Sequence, residues 1–152
     1  LKQKNFSEFG WRRHGQAAPE AVSCLSTNGI REGAGFMTIK RLDTGPRMSQ
    51  AVIHGDTVYL AGQVALDAPG TPVGDQTKNI LERIDALLAR AGTGKSRLLT
   101  ATIWITDMAT FNEMNAVWDA WVAPGDTPCR ACVESTLASP DFTVEIMVTA
   151  AL

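Results

Sequence analysis

The sequence predicts an α+β fold, with two helices laid on one face of a mixed β-sheet, and three observations carry that expectation. Segments 98–105, 128–137 and 142–150 alternate their residues with the period of two that a half-buried strand requires, and 50–64 reads as a strand pair about a turn. Residues 75–91 instead repeat their apolar positions at helical spacing, and the stretch from 110 to 122 does so again. The resulting order, ββαβαββ with room for a further strand near 38–43, is that of helices packed as a layer over a sheet.

Taken in order, "QAVIHGDTVYLAGQV" (50–64) reads as two short strands around His54-Gly55-Asp56-Thr57, where Gly-Asp is a hairpin signal. "PGTPVGD" is a loop by its Pro and Gly content. Ile80, Leu81, Ile84, Leu87, Leu88 and Ala91 form one helical stripe, which Asp75 is expected to cap and Gly92 to end. In "RLLTATIWITD", Leu99, Ala101, Ile103 and Ile105 are expected to face the core, opposite Leu98, Thr100, Thr102 and Trp104. A second helix follows, with Thr110 and Glu113 at capping-box spacing and a stripe of Phe111, Met114, Trp118, Trp121 and Val122. Pro124-Gly125 closes it, and strands over 128–137 and 142–150 complete the chain, the last with Phe142, Val144, Ile146 and Val148 on one face.

With 152 residues, 45% of them apolar, the chain is long enough to bury one full core. Residues 37–152 carry nine Lys/Arg against thirteen Asp/Glu, which argues against a phosphate-backbone partner. Three cysteines are too few for a disulfide framework and fit a reducing, cytosolic setting. No apolar run reaches the roughly 18 residues that a membrane span needs. The domain expected is 37–152. Residues 1–36 lack a sustained period and read as a tail or leader, with a functional start at Met37 or an arm against a neighbouring subunit as alternatives.

Two motifs are expected to be false leads. "ARAGTGKS" (89–96) ends like a phosphate-binding loop, but Ala89 stands where the first glycine belongs. It also follows a helix and leads into a strand, whereas phosphate needs a helix N-terminus after the loop, so a helix end and a turn are expected. The C-x-x-C of Cys129 and Cys132 lies in a strand pattern, where positions three apart point to opposite faces. The only histidines, His14 and His54, give no ligand cluster, so no metal or redox site is expected.

The same alternation sets Arg130, Cys132 and Glu134 on one strand face, and Glu145 among Thr143, Met147 and Thr149 in the last strand. An arginine and a carboxylate in strand interiors are either solvated or paired, or they form part of a site. Composition and spacing leave that choice open.

Five segments in register carry a resemblance. "GPRMSQAV" (45–52), "YLAGQV" (59–64), "FNEMNAVWDAW" (111–121), "PCRACVE" (128–134) and "FTVEIMVTA" (142–150) together resemble the RidA/YjgF family of imine deaminases across residues 38–152. The resemblance implies a chorismate-mutase-like subunit in a homotrimer with clefts between neighbouring subunits. It also implies hydrolysis of 2-imino or 2-enamino acids, of the 2-iminobutanoate/2-iminopropanoate type, to 2-oxo acids and ammonia, with neither metal nor cofactor. By resemblance, Arg130 binds the substrate carboxylate and Glu145 positions the attacking water. Cys132 and the Gly62 region line the cleft, and Asn115 matches a family asparagine that serves either as a substrate contact or as a structural hydrogen bond.

Departures from the pattern mark a divergent branch. Where members have Gly-Pro-Tyr, this chain has Gly45-Pro46-Arg47-Met48, and where they commonly have serine before Gly-Gln it has Ala61. Both changes remove a hydroxyl from the implied cleft. A non-catalytic trimer that senses or binds a small carboxylate is therefore the alternative to a deaminase. A ribonuclease, an activity ascribed to some members, stands third because the body is acidic and offers no basic, aromatic-lined groove.

Overall fold

The computed structural model describes residues 38–152; the expectation for residues 1–36 lies outside them. Six strands and two helices follow in the order β1 (Lys40–Thr44), β2 (Ser49–His54), β3 (Thr57–Leu60), α1 (Val73–Ala91), β4 (Leu98–Ile105), α2 (Phe111–Trp121), β5 (Cys129–Glu134) and β6 (Val144–Ala151). They form one sheet in the order β1-β2-β3-β6-β4-β5. Every pairing is antiparallel except β4 with β5, which are joined through α2. The sheet is therefore mixed, as expected. Among the described residues no helix is long and apolar enough to cross a membrane.

The hairpin of β2 and β3 turns on Gly55-Asp56, with His54 opposite Thr57 and Gly55 at φ 57°, a left-handed conformation that glycine adopts freely. The additional strand is present as β1, on the sheet edge. It is fastened to α1 by Asp43, whose carboxylate accepts two hydrogen bonds of 2.7 Å from the Arg90 guanidinium. Arg90 holds the Asp43 carboxyl below its usual range, so this link is complete above the ordinary carboxylate pKa and is lost as pH falls through the lowered value. Asp43 also sits at φ 48°, which Asp and Asn tolerate. Asp43→Asn is therefore expected to keep the turn and lose the ion pair. Faster hydrogen exchange confined to the β1 amides, with the melting temperature nearly unchanged, checks this.

Helix α1 buries Ile80, Leu81, Ile84, Leu87, Leu88 and Ala91 against the sheet, the stripe read from the sequence. Each large aliphatic side chain there contributes about 1.5–3 kcal/mol by leaving water. Gly92, at φ 92°, ends the helix, donating its N–H to Ala89 O. Asp75, however, is not the cap: the helix starts earlier, after Pro72, and Asp75 lies within its first turn. Proline fixes φ at a helix entry and so sets the boundary. The buried Gln76 then ties the helix start to the approach of β6, its Nε2 donating to Thr71 O and Asp141 O and its Oε1 accepting from Thr143 N, each at 2.9 Å.

Two further expectations are corrected. At the start of β4 the pairing with β6 shifts register between Leu98 and Thr100, so Leu98 is buried and Leu99 is 46% exposed. A bulge adds one residue and reverses the alternation before it, while Ala101, Ile103 and Ile105 face the core as expected. The Thr110–Glu113 capping box does not form either. Thr110 makes no side-chain cap bond, and the Glu113 carboxylate instead accepts from Gly74 N in the first turn of α1, at 3.0 Å. Asp107 caps the preceding 3-10 turn through Ala109 N, so Glu113 is free to satisfy an orphan donor of the other helix.

Candidate functional site

Strand β5 lies at the end of the sheet with β4 as its one neighbour, and its register sets what its side chains meet. Arg130 pairs with Ala101 and Cys132 with Ile103, both core-facing residues, so Arg130 and Cys132 lie on the helix side. Cys129, Ala131 and Val133 point the other way. The two cysteines therefore diverge, and both are free thiols. Among the described residues no group of three His, Cys, Asp or Glu is placed to hold a metal. Burial pushes the Cys132 thiol up, with Arg130 opposing that shift, which keeps it protonated at neutral pH and unsuited to act as a nucleophile. A Cys129→Ser/Cys132→Ser double variant is expected to keep its activity within about threefold; loss of activity together with a bound metal would restore the motif.

Arg130 is exposed at this edge, yet it is not solvated alone. Its Nη1 donates to Asn115 Oδ1 on α2 at 2.8 Å, and the guanidinium carbon lies 5.2 Å from the centroid of the Trp118 ring. Asn115 and Trp118 are three apart on one helix, which brings both to the same face. The ion pairs among the described residues are Arg83–Asp67 and Arg90–Asp43; neither involves Arg130. Glu134, four residues along the same strand face, accepts from Met108 N instead. A guanidinium with ordered neighbours and no carboxylate partner is ready for an external anion.

Glu145 sits on the opposite side of the sheet. It pairs with Trp104, which pairs in turn with Val133, so β4 lies between Glu145 and β5. Two strand spacings put the β5 and β6 backbones roughly 10 Å apart. The Glu145 carboxylate lies over Gly62: a Cβ built there would meet Glu145 Oε1 at 1.9 Å. Gln63 anchors that glycine, exchanging backbone hydrogen bonds of 2.8 and 3.0 Å with Ile146 and donating its buried amide to Gln50 Oε1 and Ala61 O. Ala61 N in turn donates to Gln50 O, and Met48, 48% exposed, enters β2 two residues before Gln50.

The site residues named from the sequence thus fall into two groups within one chain. Arg130, Asn115 and Cys132 lie at the β5–α2 edge, whereas Glu145, Gly62, Ala61 and Met48 gather around the junction of β2, β3 and β6. One subunit does not bring Arg130 and Glu145 together. Gln63 and Trp118 were not singled out from the sequence. A glutamine in a strand and a tryptophan in a helical stripe carry no signal there that separates them from ordinary packing.

The mixed six-stranded sheet with two helices on one face is an architecture shared with known proteins. Residues 38–152 match the family model described as Endoribonuclease L-PSP. A RutC family protein of Haemophilus ducreyi is 44% identical over 114 residues, covering 75% of this chain and 97% of its own length. The RutC family protein YoaB of Escherichia coli is 44% identical over 117 residues, 76% of this chain and all of its own. A crystal structure of a YjgF family member from Neisseria meningitidis superposes with a TM-score of 0.73 at 45% identity, covering 76% of this chain and 95% of that one. The chain belongs to the RidA/YjgF family, which the Endoribonuclease L-PSP model describes.

Proposed function

We propose that this chain is a subunit of a hydrolytic deaminase that converts 2-imino and 2-enamino acids to 2-oxo acids and ammonia. The observation that carries the reading is Arg130, held by Asn115 and Trp118 at an exposed edge with no carboxylate of the described residues beside it. A planar fork of donors matches a carboxylate, and a carboxylate fixed there holds the adjacent imine carbon for attack. Glu145 supplies the other half. Its carboxylate accepts a proton from the water that adds to the imine carbon and passes it to nitrogen, giving a carbinolamine; it then moves the hydroxyl proton to the same nitrogen, so that the C–N bond breaks and ammonia leaves as the C=O bond forms. No metal or cofactor enters these steps.

Because Arg130 and Glu145 face opposite sides of the sheet, the reading requires a cleft shared between chains. The face of the sheet away from the helices supports this: Tyr59, Met147 and Val133 on it are 47%, 37% and 45% exposed, a surface suited to a second copy. Members of this family are usually oligomeric, and a homotrimer with one cleft per pair of neighbours is the assembly proposed. Light scattering that returned a monomer would remove the cleft and the mechanism with it.

Met48 and Ala61, which bring no hydroxyl to this region, favour a second reading, a trimer that binds small carboxylates without turning them over. Imino acids generated in situ by an amino-acid oxidase and trapped with semicarbazide separate the two. A deaminase diminishes the trapped product in proportion to its concentration. No such effect over a panel of side chains sinks the deaminase reading, and saturable binding of the 2-oxo acid without turnover leaves the binding trimer.

A further inference from the structure

Arg130 stands on an exposed edge strand, where a long side chain ordinarily samples many rotamers and loses that freedom when it binds. Here its surroundings are fixed in depth. Trp118 under the guanidinium is 4% exposed. Its ring packs against Trp121, with centroids 5.3 Å apart at 56°. Trp121 is tied across to α1 by a 2.9 Å hydrogen bond from its Nε1 to Asp85 Oδ2, and Lys95 lies over its ring at 5.5 Å. The platform below Arg130 is therefore anchored through a second tryptophan to the other helix.

We propose that Trp118 is a positioning residue for Arg130 and that it sets carboxylate affinity. This rests on the proposed role of Arg130 as the substrate-carboxylate clamp. The guanidinium carbon lies over the indole ring, and Asn115 fixes the rotation of the group by accepting from Nη1. Of the guanidinium's edges, the one formed by Nε and Nη2 then carries no partner from Asn115, and it offers two parallel N–H groups to a carboxylate. Attraction between cation and ring holds this arrangement before substrate arrives, so less freedom is lost on binding. The effect belongs to binding: Trp118 touches no reacting atom, so KM changes and kcat does not.

The test titrates pyruvate, with pyruvamide as its neutral counterpart, into the full chain as wild type, Trp118→Phe, Trp118→Leu and Arg130→Ala. Imino-acid kinetics are measured on the same proteins. Trp118→Leu is expected to weaken pyruvate and raise KM about fivefold, while kcat stays within about twofold and pyruvamide binding is unaltered; Trp118→Phe, which keeps a ring, recovers most of the loss. A folded, assembled leucine variant that binds pyruvate as wild type does, alongside an Arg130→Ala variant that has lost binding, overturns the positioning role and leaves the clamp standing. Arg130→Ala that still binds pyruvate overturns the clamp itself. If the leucine variant fails to fold, the Arg130 Nε–H resonance of the wild-type protein decides: a ring-current shift is expected, and a resonance at the position of a free arginine contradicts the platform.

Discussion

Arg130→Ala is expected to lower kcat/KM for 2-imino acids by about 100- to 1,000-fold, because truncating one partner of a charged, forked pair costs about 3–4 kcal/mol and strands the other charge. The fold should not suffer. Arg130 is exposed, its one side-chain hydrogen bond goes to Asn115, and it enters no ion pair among the described residues. The melting temperature is thus expected to move by only a degree or two, as surface substitutions do. Arg130→Lys keeps the charge but not the planar fork or the stacking on Trp118, and recovers only about a tenth of wild-type activity. The controlling measurement uses an imine whose carboxylate is replaced by a carboxamide. If Arg130→Ala slows both substrates equally, the arginine is not a carboxylate clamp, and if it slows neither, Arg130 is not part of the site.

How far such a site was legible in the sequence follows from which physical effects are local. The α1 stripe from Ile80 to Ala91 was legible because helical burial repeats at a fixed period, and α1 buries those six residues. The Leu98/Leu99 reversal was not, since a bulge is decided by the partner strand, here β6. The capping of α2 failed for a similar reason. Glu113 finds a better use on Gly74 of the other helix, a contact 39 residues away along the chain. Site residues behave the same way. Alternation placed Arg130 and Cys132 on one face of β5, and the structure agrees; that face turns out to be the helix side. Nothing local could show that Glu145 lies on the other side, because the relative facing of β5 and β6 depends on β4 between them. The family resemblance supplied the pairing of Arg130 with Glu145, and the topology of one chain shows what that pairing demands: a second chain.

Mixing two inactive proteins is therefore expected to restore activity. If each cleft takes Arg130 from one subunit and Glu145 from its neighbour, trimers refolded from equal amounts of Arg130→Ala and Glu145→Gln chains contain intact clefts by chance. A cleft is intact when both contributing chains bring the unaltered residue, so about a quarter of clefts should be active in a statistically mixed trimer. Each parent alone should show less than about one hundredth of wild-type activity, Arg130→Ala through the lost clamp and Glu145→Gln through the lost proton acceptor. A companion variant reports on the glutamate without removing it. A methyl group at Gly62 would lie 1.9 Å from Glu145 Oε1, so Gly62→Ala must push the carboxylate aside. The backbone there is pinned by the Gln63–Ile146 pairing, with hydrogen bonds of 2.8 and 3.0 Å, so the side chain moves rather than the strand. Activity should fall about 10- to 100-fold, since a displacement of the order of an ångström costs that much in orientation. Gly62→Ala mixed with Glu145→Gln should recover nothing, because both defects sit in the same half of the cleft, whereas Gly62→Ala mixed with Arg130→Ala should recover as Glu145→Gln does. Recovery in the first mixture, or none in the second, would place Gly62 and Glu145 in different halves of the site.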